Sequence, residues 1–192
     1  MQTFWLILAT VVTVGSVIPY ARDILKGSSR PNIVSWITWT LLTGIATAAA
    51  INAGEYTTAI FTGSAVLETA IIVVLGLRYG YVKYTRFDVV CQVSAIVGIV
   101  LWQLFDSPTA GVLASVTIDF IGALPTIRHS WKMPSEETWS TYALAGLGGI
   151  FAIFALTSYN WVSLTYAVYI VIINMLLSAI IIYKMRSSPQ IF

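Results

Sequence analysis

Long apolar runs alternate with short polar breaks along the whole chain. The pattern predicts seven runs of about 20 residues, each long enough as a helix to cross the ~30 Å hydrocarbon core of a bilayer. Span 1 covers Thr3 to Ala21, span 2 Ile33 to Ala53, and span 3 Thr57 to Leu77. Span 4 covers Phe87 to Phe105, span 5 Thr109 to Ile127, span 6 Thr138 to Leu156, and span 7 Val162 to Tyr183. Helices are expected rather than strands, because an isolated strand leaves its backbone polar groups unsatisfied in lipid. The expected fold class is all-α, an integral membrane protein with seven transmembrane helices.

The polar breaks predict an orientation. Arg22, Lys26 and Arg30 follow span 1, and Arg78, Lys83 and Arg86 follow span 3. Arg128 and Lys132 follow span 5, and Lys184 and Arg186 follow span 7. These are all ten basic side chains of the protein, and they fall on one side. The other side offers Glu55, Asp106 and uncharged residues such as Tyr159 and Asn160. The positive-inside rule then places the C-terminus in the cytoplasm and the N-terminus outside, in a plasma or inner membrane. Tyr79, Tyr81, Tyr84, Trp131 and Tyr183 suit the inner aromatic belt; Phe4, Trp5, Tyr56 and Trp161 suit the outer one. Span 1 has no basic stretch before it and no A-x-A pattern after it, so it is expected to be a retained span.

Composition narrows the function classes. Of 192 residues, 58% are hydrophobic and 9% charged, against about 25% charged in a soluble domain. No soluble domain is expected beside the spans. The single Cys91 excludes an internal disulfide, and the single His129 leaves no His-based metal cluster or triad. No metal, cofactor or nucleic-acid partner is expected. Neither H-E-x-x-H nor G-x-S-x-G occurs, so no enzyme is expected. Every Lys lies in a loop or tail, which removes the mid-span Lys that a retinal protein needs.

The chain also matches itself without gaps at an offset of 106. Ser16-Val-Ile-Pro-Tyr-Ala-Arg22 meets Gly122-Ala-Leu-Pro-Thr-Ile-Arg128, aligning Pro19 with Pro125 and Arg22 with Arg128. The same offset pairs Lys26 with Lys132, Trp36 with Tyr142, and Arg78 with Lys184. Spans 1 to 3 therefore correspond to spans 5 to 7, with span 4 left over. An extra span between two three-helix units restores their direction, so the units are parallel. The expected organisation is a first repeat over 1–81, a linking helix over 82–106, and a second repeat with a short tail over 107–192.

On these features the chain resembles the PQ-loop superfamily and, within it, the SWEET-type transporters. The three-one-three layout, the outside N-terminus and the Pro near the inner end of the first helix of each unit carry the resemblance, which covers nearly the whole chain. The name-giving Pro-Gln pair stands here as Pro19-Tyr20 and Pro125-Thr126, and Pro31 and Pro134 sit in loops before the second helix of each unit. The nicotinamide riboside transporters look similar in layout. The resemblance implies alternating access for a small polar solute, a sugar in the SWEET branch. It also implies a substrate site with an Asn from each third helix.

Polar residues inside the spans supply the candidate site. Glu68 lies at the centre of span 3, where a charge costs at least ~2.5–3.5 kcal/mol on insertion scales, and is expected to face the bundle interior. Its repeat mate is Asn174, at the centre of span 7. Asp119 in span 5 is the second acid; with Ser115, Gly122 and Thr126 it forms one helix face, and its mate is Thr13. Glu68 and Asp119 are candidate proton or substrate groups. Two acids without intramembrane bases point to cation attraction or proton binding. Span 2 carries Asn32, Trp36, Trp39, Thr43 and Thr47 on one face. Trp rings can stack on a flat solute while the indole N–H donates, which makes Trp39 a candidate site residue. Trp36 and its mate Tyr142 are further candidates, with Trp36 placed near the inner interface as an anchor. Pro19 and Pro125 are candidate hinges that either kink or end their helices. In span 4, Gln92 and Gln103 read as structural, as do Gly146, Gly148 and Gly149 in span 6 and the Gly76/Gly80 pair in span 3. The expected function is a transporter for a small polar solute. The alternatives are a proton-coupled amino acid, amine or nucleoside-like vitamin carrier, and a seven-helix receptor that transports nothing. Partners are the solute and the bilayer; one chain already holds both halves of a pathway, so a homo-oligomer is compatible with the sequence but not required by it.

Overall fold

The computed structural model describes residues 1–52, 54–79, 84–102 and 108–187. Ala53, Gly80, Tyr81, Lys83, Gln103, Phe105 and Asp106 lie outside the described residues. Among the described residues the regular structure is entirely helical: α1 (Gln2–Gly15), α2 (Val17–Leu25), α3 (Ile33–Asn52), α4 (Tyr56–Tyr79), α5 (Arg86–Trp102), α6 (Pro108–Lys132), α7 (Trp139–Ala155) and α8 (Trp161–Ser187), with a 3₁₀ turn at Pro134–Glu136. Five segments are long and apolar enough to cross a membrane: Gln2–Leu25, Ile33–Asn52, Thr58–Tyr79, Thr109–Lys132 and Ser163–Ser187. The apolar α7 is shorter, at 17 residues, and so is the described part of α5. Helices α2, α6 and α8 run past the predicted ends of spans 1, 5 and 7, into the basic residues that follow them. Polar residues mark where lipid ends, but they do not stop a helix.

Span 1 is interrupted at Ser16, three residues before Pro19, where the backbone keeps helical angles and the Ser16 N–H still bonds the Val12 carbonyl at 2.9 Å. Proline has no N–H to give the carbonyl four residues back, and its ring crowds that carbonyl; here that carbonyl belongs to Gly15. The repeat mate behaves differently. Pro125 lies inside α6, which continues to Lys132, so the proline does not end that helix. Next to it, the Thr126 N–H donates to Ser35 Oγ of α3 at 3.2 Å.

Burial is inverted relative to a water-soluble protein. Buried polar side chains sit within the apolar segments: Thr13, Ser16, Ser35, Thr38, Glu68 and Asp119 are all below 7% exposed. Outward positions are apolar, with Ile7, Val11, Leu67, Val74, Val100 and Ile172 all above 55% exposed. Exposed apolar area on this scale belongs against an apolar medium, and interior polar groups are the rule for helices in lipid. Most of the predicted belt aromatics are also outward, including Phe4, Tyr56, Trp161, Trp131 and Tyr183. Trp5 instead turns inward along α7, stacking on Phe151 with ring centroids 5.8 Å apart.

The helices exchange partners between the two halves of the chain. Helix α4 packs on α3, and α8 packs on α7; α1 and α2 pack on α4, and α6 packs on α8. Across the halves, α1 lies along α7 and α6 along α3, while α5 covers α6 and α3 from outside. Two glycines allow the cross-contacts. A Cβ at Gly148 would overlap Thr13 Oγ1 and come within 3.4 Å of the Ala9 carbonyl, and one at Gly122 would come within 2.6 Å of Thr38 Cγ2. Gly148→Ala therefore separates α1 from α7. It should lower thermal stability in detergent by about 1–3 kcal/mol, the usual cost of overpacking. Gly44→Ala, whose Cβ meets open space, should change the melting midpoint little.

The basic end of the bundle is tied together by polar contacts between helices. The Arg30 N–H donates to the Glu136 carbonyl at 2.8 Å, and Ser29 Oγ lies 2.6 Å from Thr138 Oγ1. Thr138 also donates to Asp23 at 3.0 Å. Thr85 and Asp88 form a reciprocal cap on α5, which Arg128 joins through a 2.9 Å hydrogen bond to Thr85 Oγ1.

Candidate functional site

A cavity of about 100 Å³ lies at the centre of the bundle. Its walls bring together all six candidate substrate residues: Glu68 from α4, Asn174 from α8, Trp36 and Trp39 from α3, Asp119 from α6 and Tyr142 from α7. Four pairs separated by 106 positions line it: Thr13 with Asp119, Trp36 with Tyr142, Trp39 with Ala145, and Glu68 with Asn174. Helix periodicity explains how one face can contribute several of them. Trp36, Trp39 and Thr43 recur at three- and four-residue spacing on α3, as do Ile170, Ile173, Asn174 and Leu177 on α8.

Each acid has its own surroundings. Glu68 is 6% exposed and meets the break between α1 and α2, where Ser16 Oγ lies 2.5 Å from Glu68 Oε1 and 2.7 Å from the Thr13 carbonyl. The break therefore does more than accommodate Pro19, because it presents Ser16 to the acid. Asp119 accepts a 2.7 Å hydrogen bond from the Tyr169 hydroxyl of α8, and the Trp39 side chain approaches the same carboxyl. Asn174 donates to the Ile170 carbonyl at 2.9 Å. Two polar atoms in the walls are buried without a hydrogen-bond partner, Thr13 Oγ1 and Trp36 Nε1. Among the described residues, no Lys, Arg or His contributes to the walls.

The cavity is closed toward the basic end. Trp36 is 2% exposed and packs among Tyr20, Trp39 and Tyr142, with ring centroids 5.4, 4.9 and 6.1 Å away. This corrects the expectation that Trp36 anchors at the interface; its ring belongs to an interior plug. Below the plug, Glu137 Oε2 accepts hydrogen bonds from the Tyr20 hydroxyl at 2.5 Å and from the Tyr142 hydroxyl at 2.9 Å. The second Glu137 oxygen is buried 3.9 Å from His129 Nε2, which also lies 3.4 Å from Glu136 Oε2. Burial pushes the Glu137 carboxyl up to about 7, with the two phenol donors pulling the other way.

Toward the opposite end a second cavity, of about 330 Å³, adjoins the first. Glu55, Thr58, Thr157 and Ser163 line it, and it shares Phe61, Thr62, Tyr166 and Ile170 with the central cavity. One end of the bundle thus holds a wide vestibule against the central cavity, while the other is plugged by rings and tied by a carboxyl.

The sequence left several of these residues unremarked. Ser16 and Tyr20 flank the predicted hinge Pro19, and their place in the repeated block was the one available signal. Nothing local marks Glu137, an acid that is buried by helices far away in sequence. Tyr166 and Tyr169 likewise carry no local signal within the apolar run of span 7. The candidate stripe on span 5 does face inward, with Asp119 on the cavity, Gly122 against Thr38, and Thr126 against Ser35. Compared with known families, with curated proteins and with solved structures, the chain has no match.

Proposed function

We propose that this protein is a transporter that moves a small polar solute through the central cavity by alternating access. The observation that carries the reading is the central cavity, built from pairs of repeat-related side chains and joined to a vestibule on one side only. In this reading the chain has seven spans in two parallel three-helix units, residues 1–81 and 107–192, joined by a linking helix. The exchange of partners, α1 on α7 and α6 on α3, supports two units related by an axis along the membrane normal. The basic end is cytoplasmic by the positive-inside rule, so the vestibule opens outward and the aromatic plug is the inner gate. The SWEET-type resemblance supports a sugar as the solute class, and the two intramembrane acids support an amine.

Rocking one unit against the other would release the Tyr20–Glu137–Tyr142 contact and close the rings of Phe61 and Tyr166 over the cavity. The break at Ser16 and the opened ladder beside Pro125 give each unit a place to bend. Purified protein in proteoliposomes tests this directly. Radiolabelled solute uptake should be saturable, and Asn174→Ala should reduce it about tenfold, as expected for one lost hydrogen bond of ~1.4 kcal/mol. Uptake unchanged in both Asn174→Ala and Glu68→Ala would remove the cavity from the pathway.

A further inference from the structure

Within that transport reading, we infer that the solute is a small organic cation, held by Asp119 as its counter-ion and by the rings of the cavity wall. The central cavity combines two carboxyl groups with Trp36, Trp39, Tyr142 and Tyr166, and among the described residues no basic side chain contributes to its walls. A neutral polyol needs hydrogen-bonding groups but no charge. Asn174 already supplies such a group in the second unit at no ionisation cost. Keeping acids at this depth is costly on insertion scales. A neutral solute offsets none of that cost, and a cation offsets it directly. Rings that face a cation attract it through their quadrupoles, most strongly once water is excluded.

The two acids sit in different surroundings. Ser16 Oγ lies 2.7 Å from the Thr13 carbonyl and 2.5 Å from Glu68 Oε1, so Glu68 is tied to the junction of α1 and α2. Asp119 accepts a 2.7 Å hydrogen bond from the Tyr169 hydroxyl, with the Trp39 side chain alongside, which puts this carboxyl next to the rings of the wall. The other titratable groups facing these acids are phenols, Tyr142 near Glu68 and Tyr166 near Asp119. Trp36, a wall residue, has a buried indole N–H with no hydrogen-bond partner, a donor that an acceptor atom on the same solute would satisfy. The solute class is therefore a monocation with a compact apolar body and a hydroxyl or carbonyl oxygen.

Choline and 3,3-dimethylbutan-1-ol separate charge from shape, because the second replaces the quaternary nitrogen of the first by carbon. Proteoliposomes containing the full chain are assayed for uptake of choline, of tetramethylammonium and of glucose. Melting shifts are measured with choline and with its neutral analogue. The expected result is saturable choline uptake, little competition by the neutral analogue or glucose, and at least a tenfold loss in Asp119→Asn with an unchanged melting midpoint. Equal competition by the neutral analogue, or glucose uptake that persists in Asp119→Asn, would overturn the cation assignment while leaving transport standing. No uptake and no melting shift with any of these compounds would count against the cation assignment and the transport reading together. If Asp119→Asn fails to fold, Trp36→Phe keeps the proposal testable. It removes the free donor but keeps the ring, and should weaken choline more than tetramethylammonium, which has no acceptor atom.

Discussion

Glu68→Ala should lower solute uptake by about 10- to 100-fold without lowering thermal stability. The magnitude follows from losing one hydrogen bond to an ionisable group, ~1.5–3 kcal/mol, at tenfold per 1.4 kcal/mol. The stability half of the prediction separates a functional acid from a structural one. Ser16 keeps the Thr13 carbonyl as its acceptor when Glu68 is gone, so no buried hydroxyl is orphaned. Removing an acid from mid-membrane also relieves its insertion cost. A Glu68 whose only task is to pin α4 to the α1–α2 break would behave in the opposite way, with a lower melting midpoint and intact uptake. Uptake in proteoliposomes and melting in detergent, on the same preparation, decide between the two.

The native protein should lose stability as pH rises from about 4.5 to about 7, and Glu137→Gln should remove that part of the dependence. Glu137 lies outside the spans, in the turn before α7, and its carboxyl is pushed up to about 7 from an ordinary 4.5. The folded state therefore binds the proton more tightly than the unfolded chain does. Its stabilising contribution is fully present below the unfolded value and is lost as pH rises through the folded one. The size is on the order of ~3 kcal/mol, from 1.36 kcal/mol per pKa unit. A glutamine keeps an oxygen for the Tyr20 and Tyr142 donors and places an amide N–H where the carboxyl faces His129 Nε2. The measurement is the difference in melting midpoint between native protein and Glu137→Gln across this pH range, which cancels the titration of other groups. A constant difference would show that Glu137 does not titrate in the folded latch. Because the same contact ties α2 to α7, the inner gate should also open more readily at alkaline pH.

How much of this was legible beforehand depends on whether a feature is local. The helices were legible because apolar runs of membrane length report on themselves, residue by residue. Among the described residues, the basic side chains lie in or beside the first or last turns of helices or in the segments between them, and the Arg30 backbone and the Arg128 side chain join contacts that tie one end of the bundle together. Glu68 and Asn174, which the sequence offset of 106 pairs, both line the central cavity. The expected ends of spans 1, 5 and 7 fell short, since hydropathy registers the lipid boundary and a helix continues through it.

The sequence by itself determined an all-helical chain of apolar segments, the order of its charges along the chain, a self-match at an offset of 106 and the acids that a lipid-facing surface would not tolerate. Only the tertiary structure decided that span 1 breaks at Ser16 to meet Glu68, that Trp36 is plug rather than anchor, and that Glu137 closes one end on Tyr20. Those three depend on partners 52, 106 and 117 positions away. Hydropathy and periodicity are sums over neighbours in the chain, and they carry no information about which distant helix will supply a side chain's surroundings.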